Sequence, residues 1–279
     1  MIVFSTTEAA GMALRLTFGN LAASLRIALP WLLVLAVTPV ILTLLFPGYR
    51  IVPQFPDFST LATNPAPAGN SWLADLTYFV VSVIAASSIA VCWPRYLLLD
   101  SDGSEDFLRL DWPVWRYIGN VLLLNLLIFG AAFLVGLVGG FVTAIFAAVV
   151  GATPALIVSA VIGIFVLSWI VLAAYRLGVK LPAVAIGIEG YGFREAWADT
   201  RERGLRLLGF SLICGVVFLG ILLLGMLVVF GAITVFGMSS VLTAAVAVAA
   251  SVAIVWLIAV FNASCMAVLY AILAEGREI

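Results

Sequence analysis

Two short runs place aromatic rings beside cations at the end of an apolar stretch: Trp93-Pro94-Arg95-Tyr96 and Tyr175-Arg176-Leu177-Gly178-Val179-Lys180. A guanidinium can hold a phosphate through two parallel N–H donors and an ammonium adds a point charge, so Arg95, Arg176 and Lys180 are candidate contacts for a lipid headgroup or similar ligand. The plainer role for the same residues is anchoring, with interfacial rings and snorkelling bases at helix ends. Asn125, Ser168, Asn262 and Ser264 are polar side chains within otherwise apolar stretches. They suit bonds between neighbouring helices, worth about 0.6 kcal/mol each, or, with Arg176 and Lys180, the wall of a polar cavity. Phe193 and Trp197 share a helical stripe with Thr200, Gly204 and Leu208, while Glu195, Asp199, Glu202 and Arg206 fall opposite. That stripe is a candidate face for a protein partner. Asp199 with Arg203, and Glu202 with Arg206, are spaced as acid-before-base pairs on one helix, about 0.3–0.5 kcal/mol each.

Much catalytic chemistry is missing. The chain has no histidine, which removes the commonest metal ligand, general base and physiological-pH switch together. Cys92, Cys214 and Cys265 all sit inside apolar stretches and read as small packing residues rather than a disulfide or a metal site. Asp75, near the start of an apolar stretch, is open to a ligand or ion role or to simple contact with water. No catalytic residue, cofactor site or metal site is assigned, and the chain reads as non-enzymatic. A net charge of −1 gives no pull toward nucleic acid.

These residues must be positioned by helices in an apolar solvent. Hydrophobic residues make up 65% of 279 and charged ones 10%, too much apolar surface for a water-soluble fold to hide. Six apolar stretches, about 28–46, 72–93, 118–141, 154–174, 207–230 and 241–262, each approach the ~20 residues that a helix needs to cross ~30 Å of hydrocarbon. The first starts too late and runs too long for a signal peptide and reads as a retained span. All but Arg50 of the 13 basic residues fall in alternate connecting segments on one side, which places both termini in the cytoplasm. All but Asp57 and Asp75 of the 14 acids share that side, so a broad polybasic grip on anionic lipid is not expected.

The expected fold is therefore all-α: a polytopic membrane protein, a single domain over 1–279, with six spans and amphipathic interfacial helices on the cytoplasmic side. The first interfacial helix is expected over about 5–26. It opens with a Ser5–Glu8 capping box, carries a Leu14, Phe18, Leu21, Leu25 stripe, and turns at Pro30 into a first span kinked at Pro39. The run Leu181–Ile188 is too short to span and should lie at the interface or dip back in. The outer segment 47–70, with Pro47, Pro53, Pro56, Pro65 and Pro67, reads as a connection or as a cover over an outward opening. Gly130, Gly136, Gly139 and Gly140 permit close helix approach, within the chain or against a second copy of it. Three hairpins, each preceded by an amphipathic segment, are compatible with a threefold repeat.

The stretch from Tyr175 to Leu208, with its Arg-containing helix end, Pro182, and Ala196-Trp197-Ala198-Asp199-Thr200-Arg201 leading into a new span, resembles bacterial six-helix membrane proteins. These include the membrane domain attached to some glycerophosphodiester phosphodiesterases. The run Trp93-Pro94-Arg95-Tyr96-Leu97-Leu98-Leu99-Asp100 is similar to one in proteobacterial relatives of that group. The resemblance implies a bacterial inner-membrane location. It carries over no catalytic residue, because the phosphodiesterase chemistry belongs to a soluble barrel domain that has no counterpart here. The expected function is to organise a protein partner or lipid through the cytoplasmic face. The alternative is a transporter or lipid-handling protein whose polar cavity opens to the cytoplasm.

Overall fold

The computed structural model describes residues 5–46, 71–99, 110–237 and 240–276. The outer segment 47–70, read as a connection or a cover, and the beginning of the middle amphipathic segment lie outside the described residues, as do Arg50, Arg109 and Arg277. Within them the chain is helical with short turns and no strand. In order the helices are α1 (Thr6–Gly19), α2 (Leu21–Leu45), α3 (Ser71–Leu99), α4 (Trp112–Val150), α5 (Ala152–Gly178), α6 (Lys180–Ile186), α7 (Phe193–Thr200), α8 (Gly204–Phe236) and α9 (Val241–Tyr270). A 3₁₀ turn, Arg201–Arg203, links α7 to α8, and a π turn, Ala271–Glu275, follows α9. Among the described residues six helices are long and apolar enough to cross a membrane, and they contain the six apolar stretches.

Several boundaries differ from expectation for identifiable reasons. The first break falls at Asn20, not at Pro30; α2 runs unbroken through both Pro30 and Pro39. The segment expected over 5–26 is thus α1 plus the first residues of α2. Its Leu14, Phe18, Leu21, Leu25 stripe does not face the core. Phe18 and Leu25 are 45% and 41% exposed, whereas Ala9, Ala10, Ala13, Thr17 and Ser24 are buried. Small side chains let backbones approach, so the compact face wins the interior. The Ser5 hydroxyl lies 3.4 Å from that of Thr7. At α7 the reciprocal half of a capping box forms: the Glu195 carboxylate accepts the Gly192 amide at 3.0 Å, while glycine has no side chain to supply the other half.

The chain forms two compact units. The first comprises Met1–Leu16, Asp111–Gly215 and Ser264–Ile279. Here α4, 39 residues long, meets α5 through Gly151, whose φ of 104° suits only glycine without strain. A side chain at Gly139 would come within 3.1 Å of Ile162, so this glycine does serve close approach; nothing lies within 4 Å of Gly130, Gly136 or Gly140. The short α6 buries Leu181 through Ala185. It ends at left-handed Gly187, with the Ile188 amide donating to the Ala183 carbonyl at 2.9 Å. The start of α1 is tied to α8 by the Thr6 hydroxyl donating to the Arg206 carbonyl at 3.3 Å. Cys214 of α8 and Cys265 of α9 are both buried with sulfurs 3.4 Å apart.

The second unit comprises Thr17–Leu110 and Val216–Ala263. The Trp31 indole N–H donates to the Ser88 hydroxyl at 2.8 Å, joining α2 to α3 in a buried setting. Phe218 meets Phe261 edge-on at 5.1 Å between α8 and α9. Where these two helices turn, the Thr243 hydroxyl lies 2.6 Å from the Gly237 carbonyl and 3.3 Å from that of Ala232.

The thiol pair gives a direct test of the α8–α9 packing in the first unit. Mild oxidation of the detergent-solubilised protein should join Cys214 to Cys265 and leave Cys92 open to alkylation after unfolding. Peptide mapping that links Cys92 to either partner would refute the arrangement. Gly139→Leu should destabilise the α4–α5 pair by about 1–3 kcal/mol through overpacking, read as a lower unfolding midpoint.

Candidate functional site

Two sets of residues that the sequence offered for different purposes meet in the first unit. The end of α5 carries Arg176, the start of α6 carries Lys180, and α7 carries Phe193 and Trp197. The Arg176 guanidinium carbon lies 4.8 Å from the centroid of Trp197, and the Lys180 ammonium lies 3.9 Å from that of Phe193. Two of the three candidate headgroup cations, Arg176 and Lys180, and the candidate partner face are therefore one constellation. Each such contact contributes about 0.5–2 kcal/mol according to how far water is excluded.

Local structure explains the convergence. Val179 interrupts the helical run between α5 and α6, and Gly187 and Gly190, with φ of 84° and 95°, turn the chain back toward α7. Arg176 Nη2 donates to the Arg201 carbonyl at 3.3 Å, so it clasps the 3₁₀ turn as well as the indole. Gly204 makes the room: a Cβ there would sit 2.6 Å from the same nitrogen. Beside the constellation, Arg116 Nη1 is 3.6 Å from Glu189 Oε1, an exposed pair of small energetic weight. The Tyr191 hydroxyl donates to Asp199 Oδ2 at 3.0 Å, and its ring meets Tyr270 edge-on at 5.6 Å.

The expected Asp199–Arg203 pair does not form. Asp199 accepts from Tyr191, and Arg203 Nη1 is buried without a hydrogen-bond partner among the described residues. The 3₁₀ turn shifts the register that the i, i+4 spacing assumed. Burial also changes the aromatic assignments. Trp93 is fully buried, stacked on Tyr96 at 5.4 Å, and Tyr175 is buried edge-on to Phe210, so neither ring is an interfacial belt residue.

The remaining candidates do not join this group. Arg95 belongs to the second unit, half-buried near the end of α3, and is already engaged within the protein. Asn262 is half-buried in the same unit. Asn125 is exposed and donates to the Val121 carbonyl of its own helix at 2.8 Å; Ser168 donates to Ile164 in the same way. Their bonds are thus intrahelical, not the interhelical ones expected. Asp75 is exposed. Sequence reasoning passed over Arg116, Glu189 and Tyr191, whose pairings depend on how the chain folds back. Among the described residues no group of three or more His, Cys, Asp or Glu could hold a metal. No family model matches this chain, and no curated protein or solved structure is detectably similar to it.

The outward side of α7 is polar. Arg194, Glu195, Ala198 and Asp199 are exposed, as are Arg201 and Glu202 in the turn that follows, while Ala196 and Thr200 are buried. Trp197, 37% exposed, lies with one face against Arg176.

Double-mutant cycles on unfolding should give coupling of about 0.5–2 kcal/mol for Arg176→Ala with Trp197→Ala and for Lys180→Ala with Phe193→Ala. The crossed combination Arg176→Ala with Phe193→Ala should couple by less; equal coupling in all three would contradict the pairing. Burial first, and then the Asp199 carboxylate, raises the Tyr191 phenol above its ordinary range. The folded state holds that proton more tightly, so this contribution is fully present below the ordinary phenol pKa of about 10 and is lost as pH climbs through the raised value. Tyr191→Phe should lower stability near neutral pH by about 0.5–1.5 kcal/mol and flatten the alkaline fall in denaturation midpoint.

Proposed function

We propose that this is a non-enzymatic, multi-pass protein of a bacterial inner membrane, with both termini in the cytoplasm, that organises a protein partner through its cytoplasmic interfacial face. The six long apolar helices support membrane insertion. The positive-inside distribution of arginine and lysine supports the orientation. The resemblance of Tyr175–Leu208 to bacterial six-helix membrane domains supports the cellular location.

One observation carries the choice of a partner-organising role. Arg176 and Lys180 fasten α7 by its two aromatic rings, which leaves a rigid ridge of mixed charge pointing outward. A surface binding anionic lipid would concentrate cations, whereas the exposed Arg194, Glu195, Asp199, Arg201 and Glu202 mix both signs. Mixed charge on a fixed helix suits orientation-specific contact with another protein.

Photo-crosslinking residues placed at 194 and 202 of the full-length chain in cells test this reading. One discrete protein adduct should form from both positions and fall sharply when Arg176→Ala and Trp197→Ala release α7. The same probe at the apolar, exposed Leu212 should give no such adduct. Adducts of equal yield from Leu212, or none from α7, would overturn the reading. The alternative of lipid handling has its own structural observation, a cavity in the second unit.

A further inference from the structure

Near the start of α2 and the end of α3, in the second unit, a cavity of about 270 Å³ is lined by Ala22, Ala23, Arg26, Ile27 and Tyr96. Four of these residues lie on α2, where the two alanines leave space, and Tyr96 faces them from α3. Among the described residues no carboxylate lines it. Among the described residues Arg26 makes no hydrogen bond or ion pair, and the Tyr96 hydroxyl likewise has no hydrogen-bond partner, although its ring is stacked on buried Trp93. A guanidinium fork and a phenol donor thus line one small space, with no acceptor for them among the described residues.

We propose that this cavity binds a phosphate group, with Arg26 giving two parallel N–H donors and Tyr96 a third from the opposite helix. An anionic phospholipid is the ligand that presents such a group beside apolar walls such as Ile27 and the alanines. The volume lies just below the roughly 300–1,000 Å³ of ordinary small-molecule sites, which fits a headgroup phosphate while acyl chains remain outside. Arginine matches the geometry because two phosphate oxygens can accept its paired donors. The stacked Trp93 fixes the Tyr96 ring, so the hydroxyl is held in place before binding. This assignment rests on the membrane reading for the source of its ligand, and on Arg26 and Tyr96 for its chemistry.

The test uses the full-length protein. Carbonate extraction of membranes comes first: release into the supernatant would remove the membrane reading itself. The protein is then reconstituted in vesicles of equal phosphatidylglycerol and phosphatidylcholine, extracted in mild detergent, and its retained lipid counted by native mass spectrometry. One phosphatidylglycerol per chain should persist. Retention should fall about 10–100-fold in Arg26→Gln, the scale of a lost charge-assisted hydrogen-bonded contact, and about 2–10-fold in Tyr96→Phe. Ala23→Leu, which fills the space without changing charge, should also abolish retention, while Arg26→Lys should retain an intermediate amount. A parallel titration with inorganic phosphate, followed by phosphorus NMR, separates the sources: Arg26-dependent binding there without lipid retention assigns the cavity to the free anion. If a membrane-embedded protein shows Arg26-independent lipid retention and no Arg26-dependent phosphate binding, the proposal fails.

Discussion

The Arg176 guanidinium stands where several pieces of the chain must agree. It ends α5, lies over the indole of α7, donates to a carbonyl of the turn that starts α8, and fits only because residue 204 is glycine. A cation whose buried Nε has no hydrogen-bond partner among the described residues is costly to place in an apolar setting. The ring face and the carbonyl offset part of that cost. Because they come from a segment that doubles back after α6, satisfying the arginine also fixes the path of the chain. Lys180 over Phe193 repeats the arrangement one turn further on and prevents α7 from pivoting about a single contact.

The interior and exterior of this chain are sorted by size more than by polarity. Alanine, serine, threonine and glycine occupy many contact faces, in α1 at Ala9, Ala10 and Ala13, and in α3 at Ala85, Ser87 and Ser88. Large apolar side chains such as Leu44, Val149 and Leu205 point outward. That is the inverse of a soluble core. It follows when the surroundings are as apolar as leucine, so that only close packing and hydrogen bonds distinguish inside from outside. The Trp31–Ser88 and Tyr191–Asp199 bonds therefore matter to specificity beyond their individual energies.

The helical architecture was legible because long apolar runs without charge are unambiguous, and all six reappear within long helices. The amphipathic faces were less so. A stripe of Leu14, Phe18, Leu21 and Leu25 signals a helix equally well whether its large side chains face protein or lipid, and only three-dimensional packing decides. Pro30 was over-read as a turn: α2 passes through it, as transmembrane-type helices can when neighbouring groups accommodate the missing amide. At the site, the residue types were recognised, but Arg176 and Lys180 were separated from Phe193 and Trp197 because their meeting depends on Val179, Gly187 and Gly190 reversing the chain. The proximity of Cys214 to Cys265, 51 positions apart, left no mark in sequence spacing.

The length of α4 sets a condition on the surroundings. At about 1.5 Å per residue its 39 residues extend about 58 Å, nearly twice the ~30 Å hydrocarbon thickness of a typical bilayer, and no charge interrupts them after Arg116. In a bilayer, such a rod must lean well beyond the usual ~20°, bend, or draw the leaflets apart around itself. Each response carries a strain that depends on acyl-chain length. For a chain inserted as proposed, membrane thickness becomes a physical variable, favouring thicker patches over thinner ones before any specific ligand or partner is considered.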